Sequence, residues 1–410
     1  MPSVEGYVTV RDVLERVTKT VLPGPSSQVV QSQDSYGRVS AEAVFAPSDI
    51  PETPRSHMDG YAVRTKDLKG AREGSPIELK VEGDLGPGHP SKISVGPGKA
   101  VRVATGAPIP EGTDTVIPIE ELEEVQGRIS VGFVPEAGRF VYPMGADIHA
   151  GEIVVRAGQV IRAQDVGLLL ATGIERMKVF AKPRVAVLAT GSELTNQRPG
   201  PKEVRNSHSP IFLKLVEEMG CTPVDLGIAK DRPLEVARKI KVGLGRSELV
   251  ITLGGTSVGR HDLVGEAVSS MKPELEVHGI RMDRGRVTGA AVVKGRPILM
   301  IPGPLQGAMN AFFILGIPIM NALSGRKVSL PRVSCVLGKD WRARPRFSHF
   351  IKVVYVALKD GGVAEPILGE TESITILTRA DGLVVVPEDV ASLSKGSVVE
   401  VVLLPGFTFA

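Results

Sequence analysis

The sequence has little cysteine, no excess of charge of one sign and no apolar run long enough to span a bilayer. Cys221 and Cys335 are the only cysteines among 410 residues. They are too few and too far apart for a C-x-x-C metal or redox site, so we expect both in the core. Lys and Arg total 49 against 46 Asp and Glu, which gives no reason to expect a nucleic-acid or membrane partner.

Several enzyme signatures are also missing. The chain has no G-x-x-x-x-G-K-[ST] motif, no strand-associated G-x-G-x-x-G and no H-E-x-x-H, which argues against a P-loop nucleotidase, a dinucleotide enzyme and a zinc protease. The N-terminus lacks a basic region followed by an apolar one, so we expect a cytoplasmic protein. Asparagine and glutamine are scarce, which favours a thermophilic source.

The sequence is organised around the stretch 249–262, L-V-I-T-L-G-G-T-S-V-G-R-H-D. Its first five residues are apolar or β-branched and end at Gly254 and Gly255, as a buried parallel strand does when it opens into a loop. Small residues that would expose backbone N–H groups follow: Thr256, Ser257 and Gly259. With Asp262 at the start of a helical run, the stretch predicts a site for an anion and a cation.

The part of the chain before residue 183 combines helical and strand patterns. A helix is predicted from Val10 to about Thr20, with Thr9 as its N-cap. Short alternating strands between Gly and Pro turns fill residues 77–135 and predict a small all-β insert. A second helix is expected over 163–171.

Residues 184–325 alternate apolar runs with helix-length segments, as repeated βαβ units do. Connections between parallel strands are right-handed, so four loops should meet at one sheet edge: 190–194, 229–231, 254–262 and 302–306. These loops carry three carboxylates, Glu193, Asp231 and Asp262. Carboxylates beside a glycine-rich backbone predict Mg²⁺ held by oxygen ligands and a substrate phosphate.

Each candidate residue also has a structural explanation. Glu193 could cap the next helix, and Asp262 could be an ordinary acid at a helix N-terminus. Asp59 lies in an Asp-Gly pair typical of hairpin turns. Thr105 and Asp147 are not separated from ordinary loop residues by composition alone. Convergence of the loops is what favours the functional interpretation.

Taken together, the motifs resemble those of the molybdopterin molybdenumtransferase family, the MoeA and gephyrin E-domain type. They occur in the family's order and cover nearly the whole chain: S-H-M-D-G-Y-A-V at 56–63, T-G-A-P-I-P-E-G at 105–112, G-A-D at 145–147, T-G-S-E-L at 190–194, G-G-T-S-V-G at 254–259 with Asp262, and P-G at 302–303.

The resemblance implies an elongated homodimer of four-domain chains. Its parts would be a discontinuous helical domain (1–45 and 145–182), a β insert (46–144), a doubly wound parallel α/β molybdopterin-binding domain (183–326) and a C-terminal barrel-like β domain (327–410). The implied activity is Mg²⁺-dependent insertion of molybdate or tungstate into adenylylated molybdopterin with release of AMP. The pterin adenylyltransferase is a candidate protein partner.

The resemblance also implies roles for single residues in a cleft between two subunits. Asp59, Thr105 and Asp147 would line the cleft from the N-terminal domains, and Glu193, Asp231 and Asp262 would face it from the sheet as catalytic and metal-binding carboxylates. Residues expected to bind the cofactor are Thr190, Gly191, Ser192, Gly254, Gly255, Thr256, Ser257, Gly259, Pro302, Gly303, Lys352 and Ser373.

The chain departs from the family pattern in three places. Two family lysines correspond to Gly279 and Asp283, although Arg281, Arg284 and Arg286 could restore positive charge from shifted positions. The family's Pro-Gly-Asn-Pro is replaced by the sequence at 302–305, and Lys352 takes an arginine position. Two alternatives therefore stay open: a non-catalytic pterin-binding scaffold, and a pterin adenylyltransferase, which would not account for the N-terminal motifs.

Overall fold

The computed structural model describes residues 6–21, 24–88, 93–256, 262–327, 329–358, 361–369 and 373–405. Helix α1 spans Val10–Thr20, and the Thr9 hydroxyl accepts a hydrogen bond from the Asp12 amide at 3.1 Å, as predicted for an N-cap. Val13 and Val17 on its inner face are fully buried, yet they pack on the α/β core formed by residues 184–324. The helix therefore belongs to that core by its contacts.

The N-terminal half contains a discontinuous domain and a β insert. Its elements in chain order are β1 Ser27–Gln31, β2 Val44–Phe45, β3 Arg55–Ser56, β4 Gly60–Val63, β5 Ile77–Leu85, β6 Lys99–Val103, β7 Thr115–Pro118, β8 Glu124–Val125, β9 Arg128–Val131, β10 Val141–Tyr142, β11 Ile153–Val155, α2 Ala163–Ala171 and β12 Arg176–Phe180. β1 pairs with β12 and β2 with β11, so distant segments close one domain around α2. Six strands form the predicted insert sheet, in the order β7-β4-β6-β5-β9-β8.

The α/β domain follows, and its predicted strands are all present. Its elements are β13 Arg184–Thr190, β14 Leu194–Thr195, β15 Val204–Arg205, α3 His208–Glu218, β16 Thr222–Ala229, α4 Pro233–Arg246, β17 Leu249–Leu253, α5 Leu263–Ser269, β18 Leu275–His278, β19 Gly289–Val293, β20 Arg296–Ile301, α6 Leu305–Ala311, a π-helical turn Phe312–Gly316 and α7 Ile317–Ser324. The sheet order is β16-β13-β17-β20-β19-β18. The first four strands are parallel, while β19 and β18 extend the sheet in antiparallel fashion.

Alternation along the central strands explains why helices cover both faces of this sheet. Val185 and Val187 point into the core beneath α1, α3 and α6, whereas Ala186 and Leu188 point into the core beneath α4 and α5. Successive strand residues face opposite sides, so a strand apolar at every position must be buried on both. The doubly wound fold predicted for this region is confirmed.

The C-terminal domain is a closed barrel, as expected. Its elements are β21 Arg332–Leu337, β22 Trp341–Arg342, β23 His349–Leu358, β24 Gly361–Pro366, α8 Ile374–Arg379, β25 Gly382–Val386, β26 Ser392–Leu393 and β27 Val398–Leu403. The barrel order is β21-β24-β23-β25-β27. Cys335 is buried in the barrel and Cys221 in the α/β core; burial raises the pKa of the Cys221 thiol to about 12. Both are core residues, as predicted.

Contrary to the expectation from the sequence, one helical stretch, residues 305–324, is long and apolar enough by composition to cross a membrane. In the structure 72% of its most apolar window is buried, and its residues belong to the α/β core cluster. The apolar length therefore reflects a helix covered on most sides by protein.

Candidate functional site

The four predicted strand-end loops meet at the carboxyl edge of the parallel strands. The Gly191 amide donates to the Ala229 carbonyl at 3.0 Å, and the Gly254 amide donates to the Ile301 carbonyl at 2.9 Å. These bonds join the loop after β13 to the end of β16, and the loop after β17 to the end of β20. The convergence expected from right-handed crossovers is confirmed.

Glycine is required where two of these loops touch. Gly255 has φ +67°, and a Cβ there would lie 2.6 Å from the Thr190 hydroxyl oxygen and 2.9 Å from a Val264 methyl carbon. Thr190 is 5% exposed, and its hydroxyl donates to the Leu253 carbonyl at 3.2 Å. A side chain at 255 would therefore push the loops apart.

Two loops are locked together by a reciprocal pair of hydrogen bonds. The Ser192 amide donates to Asp231 Oδ2 at 2.9 Å, and the Asp231 amide donates to the Ser192 hydroxyl at 3.0 Å. Both residues are exposed, as is Glu193. Asp231 and Glu193 thus approach solvent from neighbouring loops at the same edge, where they can meet a cation or a substrate.

Asp262 is placed differently from the other two carboxylates. Its Oδ1 accepts from the Gly265 amide at 2.8 Å and caps α5, while its Oδ2 lies 3.1 Å from His278 Nδ1. The His278 Nε2 atom is buried without a hydrogen-bond partner in the part of the chain that the structure describes. Sequence reasoning missed His278; its position at the end of β18 depends on a strand pairing that no local pattern predicts.

The described residues contain no group of three or more His, Cys, Asp or Glu side chains placed to hold a metal ion together. Both oxygens of Asp262 have partners close to it, the Gly265 amide and His278, and its part in a metal site stays a prediction. A magnesium ion held by one or two carboxylates together with substrate phosphate fits this donor set. The magnesium site itself stays a prediction.

The remaining loop residues frame the same edge. The Thr256 hydroxyl donates to the Val287 carbonyl at 3.1 Å. Pro302 is buried, and a Cβ at Gly303 would lie 3.9 Å from Cα of Gly254. Ser257 and Gly259 lie outside the described residues.

Lys352 is a buried cation that joins the barrel to the α/β domain. It is 4% exposed, and its Nζ donates to Asn310 Oδ1 at 2.5 Å and to the Phe350 carbonyl at 3.2 Å. Burial, followed by the charge of Arg284, lowers its pKa to about 7 against the opposing effect of Asp283. Its ammonium group is therefore committed to protein partners in this structure.

Ser373, also expected at the cofactor, precedes α8 at its N-cap position. Its hydroxyl lies 3.0 Å from the Thr375 hydroxyl, and the residue is half-buried. No hydrogen bond from Ser373 to the loops at the carboxyl edge occurs within the described ranges.

The segment 279–287, where the chain departs from the family pattern, packs against other domains. Gly279 has φ +82°, and a Cβ there would lie 3.0 Å from the Tyr7 ring. Arg281 Nε donates to the Tyr7 carbonyl at 3.1 Å, and Arg284 donates to Gln306 Oε1 at 2.6 Å and to the Gly369 carbonyl at 2.8 Å. These two arginines hold the N-terminal segment and the C-terminal domain in place.

Arg286 is the exposed member of the three arginines. Its side chain forms no hydrogen bond or ion pair with any described residue, in contrast to those of Arg281 and Arg284, while its backbone carbonyl accepts from the Ile280 amide at 2.9 Å. Of the positive charges expected to compensate for the two missing lysines, that of Arg286 is the one left available to an anion.

The N-terminal candidate residues form a second cluster. Asp59 Oδ1 accepts from the Thr105 amide at 2.6 Å and from the Thr105 hydroxyl at 2.9 Å. These two hydrogen bonds lower the pKa of the exposed Asp59 carboxyl. Ser56 pairs with Val141 in the β3–β10 ribbon, which brings the following loop, with exposed Asp147, to the same region.

The two clusters are separate within one chain. Among the described residues no hydrogen bond or ion pair joins Asp59, Thr105 or Asp147 to the carboxyl edge of the α/β sheet.

Three family models match the chain in succession. They are the MoeA N-terminal region (domain I and II) over residues 8–173, the probable molybdopterin binding domain over 186–322, and the MoeA C-terminal region (domain IV) over 334–404. Together they follow the observed order of N-terminal domains, α/β domain and barrel.

Similar proteins extend over nearly the full length. A molybdopterin molybdenumtransferase of Staphylococcus epidermidis is 27% identical, covering 98% of this chain and 97% of the relative; one from Staphylococcus aureus is 28% identical, with 97% and 95% covered. The crystal structure of a molybdopterin biosynthesis MoeA protein from Pyrococcus horikoshii is 31% identical with a TM-score of 0.85, covering 98% of this chain and all of that one.

Proposed function

This chain belongs to the MoeA family, and from that premise we propose that it is a molybdopterin molybdenumtransferase that inserts molybdate or tungstate into adenylylated molybdopterin and releases AMP. The observation that carries the proposal is the carboxyl edge of the sheet. There the loop after β13, at Thr190 and Gly191, packs against the loop after β17, at Gly254 and Gly255. The exposed carboxylates of Asp231 and Glu193 lie beside these loops. Open backbone next to carboxylates suits a phosphorylated substrate and its cation.

In this proposal the loop after β13 and the loop after β17 bind the phosphate end of the substrate. Gly254 and Gly255 have positive φ and carry no side chain to exclude an anion. The Arg286 guanidinium supplies positive charge near this loop, because the Thr256 hydroxyl donates to the carbonyl of Val287, the residue after Arg286. Asp231 and Glu193 would hold Mg²⁺, which when bound supplies positive charge to offset that of the phosphoanhydride. The protein residues orient the phosphate and limit its exposure to water.

We also propose that the working form is a homodimer whose clefts each combine two chains. No hydrogen bond or ion pair between described residues joins the Asp59–Thr105 cluster to the carboxyl edge, and the Asp59 carboxylate is held in one orientation by two hydrogen bonds. An exposed, ionised and oriented carboxylate is suited to receive a ligand from outside its own domain. A second chain would bring the two clusters together.

The test is a turnover assay on the purified full-length protein. Adenylylated molybdopterin, Mg²⁺ and molybdate or tungstate are mixed, and AMP release is followed together with metal incorporation. We expect AMP only when an oxyanion and Mg²⁺ are both present, and loss of turnover with excess chelator. Tight binding of the pterin without AMP release under either oxyanion contradicts the proposal.

The second candidate function, a pterin-binding scaffold without turnover, is favoured by one observation. Arg281 and Arg284 are tied to Tyr7, Gln306 and Gly369, so the segment that replaces the family lysines serves domain packing. The same assay separates the two functions, because a scaffold would bind the pterin and leave the adenylyl bond intact.

A further inference from the structure

The amino edge of the parallel strands, opposite the candidate active site, carries a pocket of its own. It lies where the end of α4, the residues after α5 and the β19–β20 turn come together. Its volume is about 720 Å³, within the range of roughly 300–1,000 Å³ usual for small-molecule sites. The cations that line it are Lys241, Lys272, Lys294 and Arg296.

The lining contains four cations and no acidic side chain, in a chain whose total charge is only +3. None of the three lysines forms an ion pair with a described residue. Beside the pocket, Glu274 accepts a hydrogen bond from the Lys294 backbone amide at 2.8 Å. Arg296 is fixed in the wall because its guanidinium donates to the carbonyls of Leu244 and Ser247.

Two of the lysines occupy backbone conformations that lysine rarely adopts. Lys272 has φ +55° and Lys294 has φ +52°, where Gly or Asn is the usual residue. Residues other than glycine are strained in this conformation, and such strained positions concentrate at functional sites. Both lysines therefore lie in strained turns that face the same pocket.

Helix dipoles account for only part of this charge. Lys272 follows the C-terminus of α5, where a cation is favoured. Lys294 and Arg296, by contrast, belong to the turn between two strands and the start of β20, where no helix ends. The strand turn therefore brings two further cations to the pocket for a reason other than capping.

Apolar side chains supply the rest of the wall. Leu244, Met271 and Val293 lie between the cations and offer a surface for a flat or aliphatic group. We infer that this pocket binds a phosphorylated small molecule with an apolar body, of the size and charge of a nucleoside diphosphate. The site is distinct from the carboxyl edge and does not depend on the proposed transferase activity.

The test uses the full-length protein and isothermal titration calorimetry with ADP as the probe and adenosine as its phosphate-free counterpart. The variant K272N/K294N removes two charges while Asn tolerates the positive φ at both positions. Its matched control is K66N/R346N, which removes two exposed cations elsewhere, with Arg346 also at positive φ (+66°). Thermal unfolding checks that both variants are folded.

We expect ADP to bind, adenosine to bind at least tenfold more weakly, and K272N/K294N to weaken ADP binding at least tenfold while K66N/R346N leaves it unchanged. ADP binding that K272N/K294N does not alter would place the nucleotide at another site and overturn the inference. It is overturned equally by no ADP binding at millimolar concentration, or by an acidic peptide that binds this pocket while ADP does not.

Discussion

The two edges of the central parallel sheet are built from the same strands but differ in chemistry. At the carboxyl edge, loops joined through Thr190, Gly191 and Gly254 present the carboxylates of Asp231 and Glu193. At the amino edge, short turns present Lys272 and Lys294 around a pocket. One scaffold thus offers an acidic and a basic surface on opposite sides.

The difference lies in how each edge holds its polar groups. The carboxyl edge is held by cross-loop hydrogen bonds such as the Ser192–Asp231 pair, so a change in one loop is expected to move its neighbour. The lysine side chains of the amino edge are exposed and make no ion pair with the described residues. Substitutions at the carboxyl edge should therefore have large effects on function. Substitutions at the amino edge should have small effects on stability.

The largest effect is expected when a side chain is placed between the interlocked loops. In Gly255→Ala the new Cβ would clash with the Thr190 hydroxyl and Val264, so the loops must move apart. A displacement of roughly 1 Å in a catalytic loop can cost about a hundredfold in rate. Molybdenum insertion should fall by about that factor. Gly245→Ala at the amino edge, where a Cβ meets nothing within 4 Å, should leave the rate unchanged; equal rates for both variants would contradict the contrast between the edges.

Removing one charge from the carboxyl edge should have the next largest effect. Asp231→Asn can keep the hydrogen bond from the Ser192 amide but loses the negative charge proposed to bind Mg²⁺. We expect the Mg²⁺ concentration needed for half-maximal turnover to rise about tenfold, which corresponds to roughly 1.4 kcal/mol, with the melting temperature nearly unchanged. A variant with normal Mg²⁺ dependence would mean that Asp231 only positions the loop.

A buried and an exposed cation should respond differently to pH. The pKa of Lys352 is about 7 in the fold and near 10.4 in an unfolded chain. Between these two pKa values the unfolded state binds more protons than the folded state. The destabilisation caused by burying the charged lysine is therefore complete below pH 7 and is lost as the pH rises. Wild type should gain stability relative to Lys352→Met from pH 7 to 9.5, by roughly 3 kcal/mol.

Thermal unfolding at several pH values measures this gain. Lys241→Met, which removes an exposed lysine of the amino edge, is the control and should give a curve parallel to wild type. If Lys352→Met also ran parallel to wild type, the lysine would not be neutralised by the fold.

The sequence could predict the three central parallel strands, β13, β17 and β20, because each is apolar on both faces and is followed by glycine or proline. Strand 249–253 was predicted to the residue. The antiparallel extension by β18 and β19 could not be predicted, because its pairing brings together residues with no local signal. His278 was missed for this reason, and so was the burial of Lys352, which depends on the barrel packing against α6.

The roles of the arginines in 279–287 could not be predicted either. A run of arginines reads as a basic surface in sequence, yet Arg281 and Arg284 use their donors on Tyr7, Gln306 and Gly369. Whether such a side chain meets a ligand or another domain is decided by tertiary contacts far apart in sequence.

The two ends of α5 provide a smaller comparison. Asp262 caps the end at the carboxyl edge, so Asp262→Ala should lower the free energy of unfolding by about 1 kcal/mol. At the other end the Ser270 hydroxyl donates to the Ala267 carbonyl, and Ser270→Ala should cost a few tenths of a kcal/mol at most. Chemical denaturation measures both, and Asp262→Asn should recover most of the lost stability.

The smallest effect is expected from Lys294→Asn. Asn tolerates the φ of +52° better than lysine does, so stability should change by less than about 0.5 kcal/mol, and turnover should match wild type. A loss of turnover in this variant, measured at saturating substrate, would show that the two edges are coupled.

The docking of α1 on the α/β core affects how the chain can fold. Val13 and Val17 belong to a core whose other buried residues all lie at or after Val185 in the sequence. The first helix therefore cannot dock until two further domains have been synthesised. Closing so long a loop costs conformational entropy and raises the contact order of that core. A fragment starting at residue 183 would lack this helix and expose an apolar groove. Supplying residues 6–21 as a separate peptide should therefore improve the solubility of that fragment.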